Sequence, residues 1–350
     1  MEMEKQRLIH FDLLRILACF SVIMLHSAAQ FWYILPMDSF DWWVVHSYNS
    51  MVRFGVPVFV AISGALFLAP TREISIRKLY TRNILRMILL YVVWSVIYGI
   101  FDCCNWEGVP VTFDGLLFEI FQGRYHLWYI PMIIGLYMLL PILKRWVDNA
   151  PKKEIQYFLV IFLIFKVGKT TLLSLETSEI ISFVSGIFVV EELLGYIGYF
   201  ILGYYVAHYG IEAKWHKWAY LGGVAGVCAN IILSGYKSLQ TGTPDGVIFD
   251  SFGFFTFLVV LALLVFFTQR VSLLQLSERG AGIVKEISLD TLGIYLMHLI
   301  CLEFLQGKGI HSTMLPPIIG VPLIAVVCFG FCLLCTALLR RIPIVGKYIC

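Results

Sequence analysis

Charged residues are scarce in this sequence. Asp, Glu, Lys and Arg together make up 14% of the 350 residues, whereas a typical soluble domain carries about 25%. Hydrophobic residues make up 59%, which is more apolar surface than one buried core could hide. The scarcity of charge therefore excludes an ordinary soluble fold and indicates a polytopic membrane protein.

The sequence also lacks an excess of charge of one sign. Its 26 Lys and Arg residues stand against 23 Asp and Glu residues, which leaves a formal net charge of +3. Charge this balanced and this dilute does not form the basic surface that binds nucleic acid. The composition predicts a protein of the lipid bilayer with no nucleic-acid partner.

Cysteine is present at nine positions, but most of these residues stand inside apolar stretches. We interpret the cysteines in the apolar stretches as small packing residues. They are Cys19, Cys228, Cys301, Cys328, Cys332 and Cys335.

Long hydrophobic runs are abundant. A membrane-spanning helix needs about 20 mainly apolar residues, and short polar breaks separate ten such stretches. They are residues 11–31, 46–69, 83–101, 127–143, 155–173, 187–208, 218–235, 251–269, 287–306 and 317–339. The pattern predicts an all-α polytopic membrane protein, a bundle of about ten transmembrane helices forming a single domain over residues 1–350 with no appended soluble domain.

The distribution of Lys and Arg predicts the orientation. With the N-terminus assigned to the cytoplasm, 19 of the 26 basic residues fall in cytoplasmic segments, three on the opposite side and four inside spans. Basic residues accumulate on the cytoplasmic side of membrane proteins. Both termini are therefore expected in the cytoplasm.

Two spans contain several ionisable residues, which are costly in lipid and therefore mark candidate sites. Arg15 and His26 of the first span are eleven residues apart, so they share nearly one helix face at a separation of about 16 Å. The ninth span contains Asp290 and His298. If the two spans are neighbours, Asp12 or Asp290 would neutralise Arg15 and the histidines would meet at similar depth. No third ligand accompanies the histidines at a recognisable spacing, so we predict no metal.

The fifth and sixth spans carry opposite charges at matching depth. Lys166 and Lys169 lie in the outer half of one span, and Glu191 and Glu192 lie in the outer half of the next. Burial of either sign alone would be very costly. The sequence therefore predicts structural Lys–Glu ion pairs between these spans.

The Arg15-x10-His26 spacing, within FDLLRILACFSVIMLHS, resembles the first-helix signature of the acyltransferase-3 family of integral membrane acyltransferases. Four further stretches resemble family patterns in the same order. They are FGVPVFVAISGALFL (54–68), the basic stretch from Arg82 to Arg86, HLWYIPMIIGLYMLLPIL (126–143) and SLDTLGIYLMHLI (288–300). The resemblance covers essentially the whole chain, and ten spans is also the core number of the family.

The resemblance implies an O-acyltransferase of the bacterial cytoplasmic membrane. Such an enzyme moves an acyl group, most often acetyl from cytoplasmic acetyl-CoA, to a hydroxyl of a cell-surface polysaccharide, another glycan or a lipid-linked sugar. His26 would act as the general base or be transiently acylated itself. Arg15 would hold a CoA phosphate or polarise the thioester carbonyl. His298 would orient His26 or contact the acceptor.

Two further groups of residues fit this implied reaction. The basic segment, residues 70–86, would attract the phosphates of CoA. Its candidate ligands are Arg77, Lys78, Arg82 and Arg86. Residues near the end of the outer loop would form a mouth on which a sugar stacks. They are Arg124, His126, Trp128 and Tyr129.

A transporter of a small polar solute, such as an amino acid, is the first alternative function, and a sensing or scaffold membrane protein without chemistry is the second. The charged groups inside the spans favour the transporter, whereas a carrier has no need for a CoA-binding basic segment beside Arg15.

Small residues such as Gly222, Gly223 and Gly226 permit close helix contacts. These contacts would serve one chain or a homo-oligomer equally well.

Overall fold

The computed structural model describes residues 8–105, 112, 114, 123–175, 190–342 and 346, with side chains for all of these except 103–105 and 190–193. Within these ranges the chain is helical and contains no β-strand. Large apolar side chains such as Val224 and Ile232 remain exposed along the helices. In a membrane protein such side chains face lipid. The predicted all-α polytopic membrane fold is confirmed.

Nine described helices are long and apolar enough to cross a membrane. They are α1 (Ile9–Trp32), α2 (Phe40–Phe67), α3 (Ile76–Asp102), α4 (Tyr125–Asn149), α5 (Lys152–Leu175), α7 (Ala213–Thr241), α8 (Phe254–Leu273), α9 (Glu278–Gly307) and α10 (Pro317–Arg340). The helix Val190–His208, α6, is kinked at Gly195. It lies at the position of the predicted sixth span, and the nine candidates lie at the other nine predicted positions.

Several of these helices are interrupted. The interruptions are the break between Phe40–Met51 and Gly55–Phe67 in α2, the π-helical turn Leu79–Ile84 in α3, the 3-10 turn Tyr125–Trp128 that opens α4, and the π-helical turn Leu163–Gly168 in α5. The last segment of α3 continues to Asn105. Such interruptions redirect side chains and often occur at functional sites. Two of them, in α3 and α4, border the site described below.

Serine side chains cap three of the helices, and Ser75 at the start of α3 accepts a hydrogen bond from the backbone N–H of Lys78. Ser39 accepts a hydrogen bond from the backbone N–H of Trp42 at the start of α2, and Ser277 accepts one from Gly280 at the start of α9. Each satisfies an amide that has no partner within its helix. The polar breaks of the sequence thus supply the signals that begin these helices.

Helix α1 lies at the centre of the packing. It contacts both halves of α2, and it packs against α9 and α10. The predicted adjacency of the first and ninth spans is therefore confirmed. The contact aligns the polar residues of the two helices, since the Ser288 hydroxyl of α9 donates a 2.6 Å hydrogen bond to Asp12 of α1.

The second half of α2 packs closely against α6, and glycine makes this approach possible. A Cβ atom added to Gly203 of α6 would collide with the backbone of Ala61, and one added to Gly64 of α2 would collide with the backbone of Phe200. Backbone atoms cannot move aside as a flexible side chain does. The two glycines therefore fix the distance between these helices.

We expect Gly203→Ala to destabilise the bundle by about 1–3 kcal/mol, the usual cost of overpacking. The melting temperature of the Gly203→Ala variant in detergent, measured by size-exclusion fluorescence, should lie several degrees below that of wild type. Gly135→Ala is the matched control, because a Cβ atom at Gly135 of α4 meets open space. An equal loss of stability in the two variants would contradict close packing of α2 on α6.

Candidate active site

Three histidines from three helices meet inside the bundle. The ring of His26 on α1 lies 5.1 Å from that of His298 on α9. The ring of His126, at the start of α4, lies 5.3 Å from that of His298. His126 and His298 are buried, whereas His26 is half-buried. His26 is therefore the member of this histidine cluster that a substrate can reach most easily.

Backbone contacts orient two members of the histidine cluster. Nδ1 of His298 lies 2.5 Å from the carbonyl oxygen of Tyr295, and because a carbonyl only accepts, Nδ1 carries the proton. Nε2 of His298 is then an acceptor, and it has no hydrogen-bond partner among the described residues. The Tyr295 hydroxyl donates to the carbonyl oxygen of His126. Tyr295 thus ties α4 to α9 at the histidine cluster.

Tyr125 covers His26 on the side away from Arg15. Its hydroxyl oxygen lies 3.5 Å from Nδ1 of His26, and the two rings meet edge to face at 5.6 Å. Tyr125 itself is 61% exposed. A molecule approaching from this side of the bundle would therefore meet Tyr125 before His26.

Arg124 anchors the turn that carries Tyr125 and His126. Its guanidinium pairs with Asp102 at 2.5 Å and with Glu303. Burial alone would lower the pKa of Arg124, but the hydrogen bonds and charges of Glu303 and Asp102 hold that pKa above its ordinary value. Arg124 therefore stays cationic and links α3, α4 and α9. Nε of Arg124 and Oδ1 of Asp102 are buried without a hydrogen-bond partner in the described part of the chain.

Arg15 lies near the other end of α1, on the side of the bundle that we term the basic side because residues 70–86 also lie there. Its guanidinium is 3.9 Å from Asp12 and donates a 3.4 Å hydrogen bond to the Ser288 hydroxyl. The Arg15 side chain is 27% exposed. It is thus held by neighbours and still reachable.

A cavity of about 240 Å³ extends from Arg15 to Tyr129 and Tyr295. We term it the inner cavity. Arg15 and Arg86 contribute its cationic groups, and Tyr129 and Tyr295 lie next to the histidine cluster. Most other lining residues are apolar. They include Val56, Phe59, Leu66, Met87, Ile133 and Leu292. The inner cavity therefore combines cations with a largely apolar wall.

Two further cavities lie along the basic segment and share lining residues with their neighbours. The first is lined by Arg82, Arg86 and Tyr137, and it shares Arg86 and Tyr137 with the inner cavity. The second is lined by Arg72, Lys78 and Arg82. Arg15 and three of the four candidate ligands of the basic segment thus line this row of cavities. The fourth, Arg77, is exposed and lines none of the three.

The predicted sugar-binding residues divide into two groups. Trp128 is 44% exposed and its ring lies 5.6 Å from that of Tyr196, while Arg124 is held in its ion pairs. His126 and Tyr129 instead face the interior, the first in the histidine cluster and the second in the inner cavity. Within the 3-10 turn Tyr125–Trp128, Trp128 is exposed and His126 is buried.

The other predicted ion-pair residues have diverse surroundings. Asp290 of α9 lies 2.9 Å from Arg340 of α10, and Asp12 takes the position beside Arg15. Lys166 lies 4.5 Å above the ring of Phe252. The side chains of Glu191 and Glu192 lie outside the described residues, so the pairing of Lys166 and Lys169 with them stays a prediction.

Comparison with known proteins gives one positive finding. A family model described as an acyltransferase domain matches residues 8–338. No curated protein and no solved structure matches the chain. The matched region includes every helix from α1 to α9, nearly all of α10, and the residues of the histidine cluster, the inner cavity and the basic segment.

Proposed function

Because the chain belongs to the acyltransferase-3 family and is a multi-pass membrane acyltransferase, we propose that it transfers an acyl group, in its simplest form acetyl, from acyl-CoA to a hydroxyl of a cell-surface glycan or lipid-linked sugar. The observation that carries this proposal is the row of cavities from the basic segment past Arg15 to Tyr129 and Tyr295, beside the histidine cluster. A cationic entrance and an apolar wall suit a phosphorylated carrier with a long acyl-bearing arm.

We assign the donor to the basic side, which the Lys and Arg distribution orients toward the cytoplasm of a bacterial cell. Arg82 and Arg86 line the entrance, and Arg15 lines the deeper inner cavity. Arginine binds phosphate through paired, charge-assisted hydrogen bonds. The phosphates would stay at these arginines while the acyl-bearing arm follows the apolar wall toward His26.

We assign the general base to His26. It is the half-buried member of the histidine cluster, and a neutral imidazole nitrogen can accept the proton of a hydroxyl. His26 would remove the proton of the acceptor hydroxyl while that oxygen bonds to the acyl carbon. The bond between the acyl carbon and sulfur then breaks, and the thiolate of CoA takes up the proton. His298 and His126 would hold the position of the His26 ring.

We assign the acceptor to the opposite side, where Tyr125 and Trp128 are exposed. Aromatic faces of this kind can stack on a sugar ring. On this proposal acyl groups pass from one side of the bilayer to the other through the bundle.

The test is acetyl transfer by purified protein in lipid nanodiscs. Wild-type protein with labelled acetyl-CoA and a mixed glycan extract should release free CoA thiol and place label in the glycan. Nanodiscs without protein are the control. A protein that leaves acetyl-CoA intact, and instead moves a polar solute into proteoliposomes in the absence of CoA, would overturn the proposal in favour of a carrier.

A further inference from the structure

Three buried cysteines converge between α9 and α10. Cys301 lies on α9, and Cys328 and Cys332 lie one turn apart on α10. Their three Sγ atoms are within 4.8 Å of one another, with 4.0 Å between those of Cys328 and Cys332. All three are free thiols and at most 5% exposed. Among the described residues, this is the group of three metal-ligating side chains that can reach a single ion.

The surroundings of this thiol cluster restrict the charge of any ligand. The three cysteines belong to the main hydrophobic core of the described residues, together with Leu299 and Leu302 of α9 and Ile324 and Ala325 of α10. Three thiolates around a monovalent or divalent ion leave a net negative charge, which is costly to bury in such an environment. Three thiolates around a trivalent ion leave no net charge. Soft thiolates also select soft, thiophilic ions.

We propose that Cys301, Cys328 and Cys332 bind one trivalent thiophilic metalloid, for which arsenic(III) is the probe. Arsenous acid is neutral and can enter an apolar region without carrying charge. Each thiol forms one arsenic–sulfur bond and displaces one hydroxide from arsenic, so that one arsenic–oxygen bond breaks. The displaced hydroxide leaves as water with the proton of that thiol. Three waters are released and no atom changes its oxidation state.

The thiol cluster adjoins the histidine cluster. Sγ of Cys328 donates a 3.5 Å hydrogen bond to the carbonyl oxygen of His298, and Cys301 follows His298 by three residues on α9. Binding would draw the three sulfur atoms together and shift the α9 backbone that carries His298. Inhibition of acyl transfer by arsenite therefore rests on the proposed function, whereas the binding of arsenic does not.

The binding experiment uses purified protein carrying Cys103→Ser and Cys104→Ser, because two thiols adjacent in the sequence would also bind arsenic. After incubation with arsenite, intact-mass spectrometry should show one arsenic added and three hydrogens lost per chain, and three fewer thiols should react with maleimide. Cys328→Ala and Cys332→Ala should each abolish the three-thiol adduct. Cys228→Ala, which removes an exposed cysteine of α7, should leave it unchanged.

Size-exclusion profiles identify folded variants, and Cys328→Ser and Cys332→Ser provide a second pair if the alanine variants aggregate. A wild-type chain that takes up no arsenic, or an adduct that persists in the folded variants, would overturn the proposal. Uptake of zinc or copper(I) without arsenic would overturn its trivalent assignment. If arsenic binds and the rate of acyl transfer stays unchanged, the coupling to His298 is contradicted. If the protein shows no acyl transfer before arsenite is added, only the proposed function is contradicted.

Discussion

Replacing His26 with Ala is expected to slow acyl transfer by about 10²–10⁴-fold, the usual contribution of a positioned general base. His26 is the half-buried histidine beside Tyr125 and His298, so no other imidazole of the cluster is equally open to an acceptor hydroxyl. The loss should appear in kcat, with the KM for acetyl-CoA changed little. The measurement is the release of CoA thiol at saturating donor and acceptor.

His46→Ala is the matched control for His26. His46 is also an intramembrane histidine, but structural hydrogen bonds occupy its ring. Nδ1 accepts from the Trp32 indole at 3.0 Å, and Nε2 lies 3.0 Å from the carbonyl oxygen of Ile231. We therefore expect its replacement to lower the melting temperature while the folded protein keeps its rate. A rate for His26→Ala within tenfold of wild type would contradict the assigned role.

The pairing of α1 with α9 could be predicted from the sequence because helical periodicity is local. Arg15 and His26 occupy one face of α1, and Asp290 and His298 mark the corresponding face of α9. Such faces must meet protein and not lipid. The partner of Asp290 could not be chosen in the same way, since Arg340 reaches it only through the packing of α10 on α9.

The third histidine illustrates what the sequence does not encode locally. His126 follows a polar loop, so the sequence favours a place at the membrane surface. Its inward direction depends on the 3-10 turn Tyr125–Trp128, on the Arg124 ion pairs and on the hydroxyl of Tyr295. These contacts join segments far apart in the chain. A histidine at the start of an apolar run was the one available signal.

The thiol cluster was hidden for a similar reason. Cys328 and Cys332 are four residues apart and share a helix face, which is visible in the sequence. Cys301 belongs to a different helix, and only the packing of α9 on α10 brings its sulfur to the other two. Single cysteines in apolar spans are otherwise indistinguishable from packing residues.

Arg15→Ala is expected to raise the KM for acyl-CoA by about 10- to 100-fold. A hydrogen bond to a charged group contributes about 1.5–3 kcal/mol, and each factor of ten corresponds to about 1.4 kcal/mol. Arg15 lines the inner cavity and is held in place by Asp12 and Ser288. Its loss should therefore weaken donor binding more than it slows turnover at saturating donor. Initial rates over a range of acetyl-CoA concentrations give both constants.

Two control variants separate donor binding from a structural role for Arg15. Arg15→Lys keeps the positive charge but loses the planar guanidinium, so it should recover part of the affinity. Arg270, at the end of α8, is exposed and lines none of the three cavities. The Arg270→Ala variant should therefore keep the wild-type KM. Because Arg15→Ala removes a partner of Asp12 and Ser288, the melting temperatures of the two Arg15 variants must be compared. Equal KM values for wild type and Arg15→Ala would show that the phosphates bind elsewhere, whereas a fall in kcat alone would assign Arg15 to the thioester carbonyl.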